Sequence, residues 1–266
     1  MPLFLAGGLY CRGLHRVWHR AGAGRGVRRS EALAFGGGLV VLALMLSFPL
    51  HAWGRLRFAP HMLEHGLLTM VAAPLLAAGR PGVPYLVGLP WSWRGRVGRC
   101  LANDSLRRFW RTLVHPGVAW ALHGGTLWLW HAPPLFDAAL ESEPIHYLQH
   151  LTLLVTALLF WASLLPRRAD NRSRMVAVFS LFTTSIHATL LGALLTLSPA
   201  VWYAGYAGAG QAGGLTALED QQLAGLIMWV PFGAVYLAAS LILLAAVLRE
   251  DRTLPRGRRG LLAAAD

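Results

Sequence analysis

Residues 130–165 read WHAPPLFDAALESEPIHYLQHLTLLVTALLFWASLL. One apolar run closes at His131, a gap without Arg or Lys follows over 132–145, and a second apolar run opens at His146. The second run stays apolar for about 20 residues, the length an α-helix needs to cross a hydrocarbon core about 30 Å thick. His146 and His150 stand four apart at its mouth. A shorter stretch, HMLEH at 61–65, repeats the arrangement with His61 and His65 at the mouth of another run. Positions i and i+4 share one helix face, with Cβ atoms about 5–6 Å apart. From there two imidazoles can reach one ion at about 2.0–2.1 Å per bond.

The composition agrees with a membrane setting. The chain has 266 residues, 55% apolar and only 14% charged, with a mean hydropathy of +0.47. Soluble domains carry about 25% charged residues. The net charge is +12 and every basic residue is Arg. Such an excess can mark a nucleic-acid footprint, but these Arg fall in the gaps between apolar runs, which argues for topology and against nucleic acid. Cys11 and Cys100 form no CxxC pair and define no disulfide framework.

Taken in order, residues 1–30 give a short apolar segment and an Arg-rich loop. About eleven apolar residues before Arg12 are too few to span at 1.5 Å each, and the pattern is not that of a signal peptide. It reads as a partial span, re-entrant or cut short at its start. Full spans are expected at roughly 32–51, 61–79, 113–131, 146–165, 175–198 and 220–248. Pro231 predicts a kink in the last, and the SLRRFWR stretch within 80–112 reads as a surface-lying amphipathic helix. The expected fold is therefore all-α, a polytopic integral membrane bundle of six full spans plus a partial N-terminal one. It forms a single domain over 1–266, with the bundle at 31–248 and a basic tail at 249–266.

Arg counts in successive gaps fix an orientation: six in 12–29, two in 51–60, seven in 80–112, none in 132–145, four in 167–174, none in 199–219 and five in 249–266. Positive residues collect on the cytoplasmic side, so the C-terminus is expected inside and the poor gaps outside. His51, His61, His65, His131, His146 and His150 then share the outer face with Glu64 and Asp220. Eleven Trp, among them Trp53, Trp130 and Trp202 near the outer ends, fit an interfacial aromatic belt.

Ionisable groups in a membrane are costly and mark sites, and imidazole suits Zn, Cu, Fe and Ni. The candidate ligands are His61, His65, His131, His146 and His150. Asp220, in EDQQLAGLIMW, is either a ligand, an orienter of one, or a carboxylate complementing its own helix dipole. Glu64, Gln149, Gln221 and His51 are candidates for supporting roles. His123 and His187 fall near mid-depth, as an axial haem pair, part of a proton path, or packed His bonded to neighbouring helices. His61-x-x-Glu64-His65 also matches the H-x-x-E-H pattern of certain zinc hydrolases, in which the Glu is a general base.

At these residues the chain resembles the polytopic CtaG family of cytochrome c oxidase assembly proteins. The matching segments are HMLEHGLLTMVAAPLLAAGRP at 61–81, WLWHAPPLFDAAL at 128–140, HYLQHLTLLVTALLFW at 146–161 and LEDQQLAGLIMWVP at 218–231, with LLGALLTLSPAVWYAGY at 191–206 matching more loosely. The resemblance implies a non-enzymatic role in maturing a haem-copper oxidase in the bacterial plasma membrane. Copper is then the expected metal, zinc or haem the alternatives, and an oxidase subunit the partner. The shared positions are His61, His65, His131, His146, His150 and Asp220. One discord stands: cuprous copper prefers thiolate or thioether ligands, yet the expected outer face offers little Met beyond Met62.

Overall fold

The computed structural model describes residues 2–47, 50–165, 170–208 and 214–253. All regular structure among them is helical. The helices are α1 (Pro2–Ala21), α2 (Arg29–Met45), α3 (Leu50–Leu56), α4 (Phe58–Leu67), α5 (Ala73–Ala78), α6 (Gly82–Gly88), α7 (Trp91–Ala102), α8 (Asp104–Leu113), α9 (Pro116–Trp130), α10 (Pro133–Glu141), α11 (Glu143–Leu164), α12 (Asn171–Leu197), α13 (Ala217–Ile227) and α14 (Gly233–Thr253). Two π-helical turns, Leu68–Ala72 and Met228–Phe232, join α4 to α5 and α13 to α14.

Among the described residues, four helices are long and apolar enough to cross a membrane: Phe58–Ala78, Glu143–Leu164, Asn171–Leu197 and Ala217–Arg249. Four of the expected spans therefore stand, and the count of six plus one is not reached on length and composition. The run at 32–51 falls on α2 and α3, which together are long and apolar enough for a fifth span, bent by 49°. The run at 113–131 yields the 15-residue α9, about 22 Å long at 1.5 Å per residue. Pro116 starts it, and His131 ends it against a following Pro pair. The N-terminal segment is a 20-residue helix in which helical structure continues through Arg12, Arg16 and Arg20. Of the basic tail at 249–266, residues 254–266 lie outside the described residues.

Proline explains the π turns. A ring inside a helix lacks the N–H and crowds the carbonyl four residues back. Widening the turn by one residue relieves that crowding. Pro231 lies within the second π turn and Pro74 just after the first, so the kink expected at Pro231 takes this form.

Close helix approaches rest on glycine. A Cβ on Gly225 would lie 2.6 Å from the Gly192 carbonyl oxygen, and one on Gly192 would lie 2.8 Å from that of Gly225. The two small residues bring α12 and α13 together in the manner of membrane helix pairs. A Cβ on Gly66 would overlap the Phe232 ring, so α4 and the second π turn also meet there. Helices α7 and α8 bury none of their residues, and Trp91 and Phe109 are exposed, which fits a surface-lying pair. Trp53 is exposed, whereas Trp130 is buried and donates to Thr152 Oγ1 at 2.9 Å. Trp130 thus belongs to the packing and not to a belt.

A candidate metal centre at one end of the bundle

The site is assembled from the first turns of α4 and α11. Helical spacing puts His61 above His65 and His146 above His150, and the two helices turn these faces toward each other. His61, His65 and His150 each offer a ring nitrogen within 4.8 Å of the others'. His61 Nε2 and His65 Nε2 are 3.0 Å apart. Two nitrogens that each bind one ion at about 2.0–2.1 Å stand roughly 3 Å apart or a little more. The pair already has that spacing.

The lone pair of His61 is aimed from behind. Its Nδ1 lies 3.0 Å from the Tyr206 hydroxyl and 3.3 Å from the Gly54 carbonyl oxygen. Tyr206 itself donates to that carbonyl at 2.6 Å, so its oxygen is left to accept from His61 Nδ1–H. The proton then sits on Nδ1 and the lone pair on Nε2, as metal-binding His are commonly oriented. Tyr206 stands outside the apolar spans, and burial pushes its phenol far above the usual tyrosine range, which keeps it a donor. The 3₁₀ turn that carries it is pinned by Asp137, whose carboxylate accepts from Ala204 N at 3.3 Å and Gly205 N at 3.1 Å. Phe136, fully buried, closes over His61 at a ring separation of 5.1 Å.

The remaining candidates surround this group. His146 lies 4.5 Å from His150 and 5.3 Å from His61 between ring centres, and it stacks on His51 at 5.5 Å. His51 Nδ1 is 3.4 Å from Glu64 Oε1. Glu64 therefore faces α3, where a Cβ on Gly54 would approach its carboxylate to 2.9 Å. His131 is reached through His65, 6.5 Å away between ring centres, and through Met62. Its carbonyl oxygen accepts from the buried Tyr203 hydroxyl at 3.1 Å.

Asp220 stands apart. Its carboxylate accepts from Phe58 N at 2.6 Å and Ala59 N at 3.4 Å, satisfying free N–H groups at the start of the His-bearing helix α4. Its own helix is capped by the Thr216–Glu219 capping box, which leaves Asp220 available to serve α4. Gln221 bridges the preceding loop, accepting from Trp202 N at 2.7 Å and donating to Ala200 O at 3.0 Å. Gln149 is fully buried, with neither side-chain polar atom hydrogen-bonded.

Buried polar atoms are nearly always paired. Here His146 Nε2, His150 Nε2, His65 Nδ1, both Gln149 atoms and both Glu64 oxygens are buried without a hydrogen-bond partner. Their concentration on α4 and α11 fits a donor set that accommodates a cation. His123 and His187 lie elsewhere. His123 Nε2 is 3.0 Å from the Tyr236 hydroxyl, and its ring stacks on Phe160 at 5.2 Å. His187 packs against Gly124, with neither ring nitrogen hydrogen-bonded.

Sequence reasoning missed Gly54, Tyr203, Tyr206 and Phe136. The only signal was their place in the Arg-poor gaps, and no spacing rule links Tyr206 to His61.

An all-helical chain with membrane-length apolar helices and a buried imidazole group at one end is a polytopic membrane protein built around a polar site. Residues 8–250 match the family model of the cytochrome c oxidase caa3 assembly factor, Caa3_CtaG, and the chain belongs to that family. It is also 26% identical over 226 residues to the uncharacterized proteins Mb0105 of Mycobacterium bovis and MT0111 of Mycobacterium tuberculosis. The match covers 81% of this chain and 33% of each relative. The chain thus spans about a third of the length of the curated relatives it matches. No solved structure matches it.

Proposed function

We propose that this protein binds copper through the His61/His65/His150 group on the extracytoplasmic face of a bacterial plasma membrane and passes it to a subunit of a haem-copper oxidase. The observation that carries the reading is the 3.0 Å approach of His61 Nε2 to His65 Nε2, with the His61 proton held on the far side by Tyr206 and Gly54. The family's assembly role supports the destination. His146 and His131 flank the group as additional donors, and His51, Glu64 and Gln149 orient or balance it. Zinc and haem are the alternative occupants. In this reading α9 and the bent α2–α3 pair complete six spans beside the N-terminal helix, with local thinning of the bilayer accommodating the short α9. The Arg-rich gaps and the C-terminus face the cytoplasm.

Elemental analysis of the purified, copper-loaded chain tests this beside a His61→Ala/His150→Ala variant. Loss of about one copper per chain in the variant is the outcome expected for a single tetrahedral or trigonal site at the imidazole group. A chain that takes up no copper removes the proposal. Zinc alone would turn attention to the H-x-x-E-H motif, where Glu64→Gln would abolish hydrolysis and leave a carrier intact. In cells lacking the protein, the oxidase polypeptide should be present and copper-deficient.

A further inference from the structure

Behind His65 lies a second feature that the three-His group does not use. A cavity of about 20 Å³ is lined by Met62, Met70, Met228, His65, His131, Thr69 and apolar neighbours. That volume is enough for one small occupant. Three of the chain's six Met meet there. Met70 and Met228 each belong to one of the two π turns, a distortion found often at functional sites.

The decisive contact is between His131 and Met62. His131 Nδ1 is 2.7 Å from the Leu127 carbonyl oxygen. A carbonyl only accepts, so Nδ1 carries the proton and Nε2 of the neutral ring presents a lone pair. That lone pair faces Met62 Sδ at 3.4 Å. A thioether has no proton to give, so two electron-pair donors face one another in a buried place. An ion bound to nitrogen at about 2.0 Å and to sulfur at about 2.3 Å would hold the two roughly 3.5 Å apart. Thioether sulfur selects cuprous copper over harder ions.

We infer that the Met62/Met70/Met228/His131 cavity is a cuprous-ion site adjoining the imidazole group, with His65 as their common wall. The inference rests on the copper-handling reading above and adds the soft ligands that the outer face lacks. It also assigns work to His131, which lies beyond the three-His group. Sulfur from α4 and from both π turns would hold the ion in an apolar pocket, away from water and harder donors.

X-ray absorption at the copper edge tests this on the full chain in detergent, loaded anaerobically with ascorbate-reduced copper. The expected spectrum contains sulfur as well as nitrogen neighbours. In Met62→Leu/Met70→Leu/Met228→Leu, which conserves core volume, the sulfur contribution disappears. Cuprous affinity, read by competition with bicinchoninate, then falls roughly tenfold or more. Met175→Leu, at a half-exposed methionine, leaves both unchanged. Nitrogen-only copper in the unmodified chain overturns the cavity site and leaves the imidazole reading standing. A chain that takes up no copper overturns both. Retention of cuprous affinity by the triple Met variant also overturns the cavity site.

Discussion

The bundle holds two sets of buried imidazoles, and they differ in what their nitrogens meet. At the α4–α11 end, each helix contributes a pair at i and i+4, and three rings bring a nitrogen within 4.8 Å of one another. At the α9–α12 contact, His123 has its Nε2 engaged by Tyr236, and its ring is stacked on Phe160. His187 sits nearby without completing a ligand group. Burial is common to both regions, so burial does not make a metal centre. Convergence does: two rings on one helical face need no tertiary accident to meet, whereas single rings on separate helices do.

The largest expected effect is on metal content. His61→Ala/His150→Ala should lower copper in the purified protein by about one ion per chain, while His123→Ala/His187→Ala should keep the unmodified ratio. Equal losses in both variants would erase the contrast between the two regions. Next comes the pair of tyrosines that hold a ring in each. Tyr206→Phe should weaken metal affinity about 10–100-fold through loss of the group that orients His61. Tyr236→Phe should leave affinity alone and cost about 1 kcal/mol of stability, read as a lower thermal midpoint in detergent.

A smaller change is expected at Asp220. Asp220→Ala removes the cap on α4 and should cost about 0.5–2 kcal/mol. Added metal should recover part of that loss, because the ion ties α4 to α11 and binds the folded state only. Absence of recovery would show that the first turn of α4 is positioned independently of its cap. Smallest is Arg55→Gln, which breaks the exposed Arg55–Glu143 ion pair. Thermal unfolding should register less than about 1 kcal/mol, with unchanged copper content.

The sequence disclosed the His pairs because their geometry is local. Four residues along a helix is a fixed displacement, and apolar runs beginning at His61 and His146 put both pairs at helix mouths. The all-helical class was legible for the same reason. What stayed hidden was non-local. Tyr206 is 145 residues from His61, and Asp220 caps a helix 162 residues away, so its carboxylate looked like a ligand or a complement to its own helix. Met70 and Met228 read as ordinary apolar residues until the fold brought them to one cavity. The span count suffered from boundaries: hydropathy alone does not register that Pro116 and His131 leave only 15 helical residues between them.

The first π turn carries a consequence of its own. A π turn is an α-helix with one surplus residue, and one residue corresponds to about 100° of rotation at 3.6 residues per turn. Leu68–Ala72 therefore acts as a phase shifter: it lets Phe58–Leu67 pack on α3 and α13 and face α11 with its histidines, while Ala73–Ala78 packs on α2 and α11. Deleting a single residue between 68 and 72 would leave the apolar character of the segment almost unchanged. It would also swing one half of the helix about a quarter turn against the other. The chain is thus held to an integer count of residues there, a constraint on length that no hydropathy profile records.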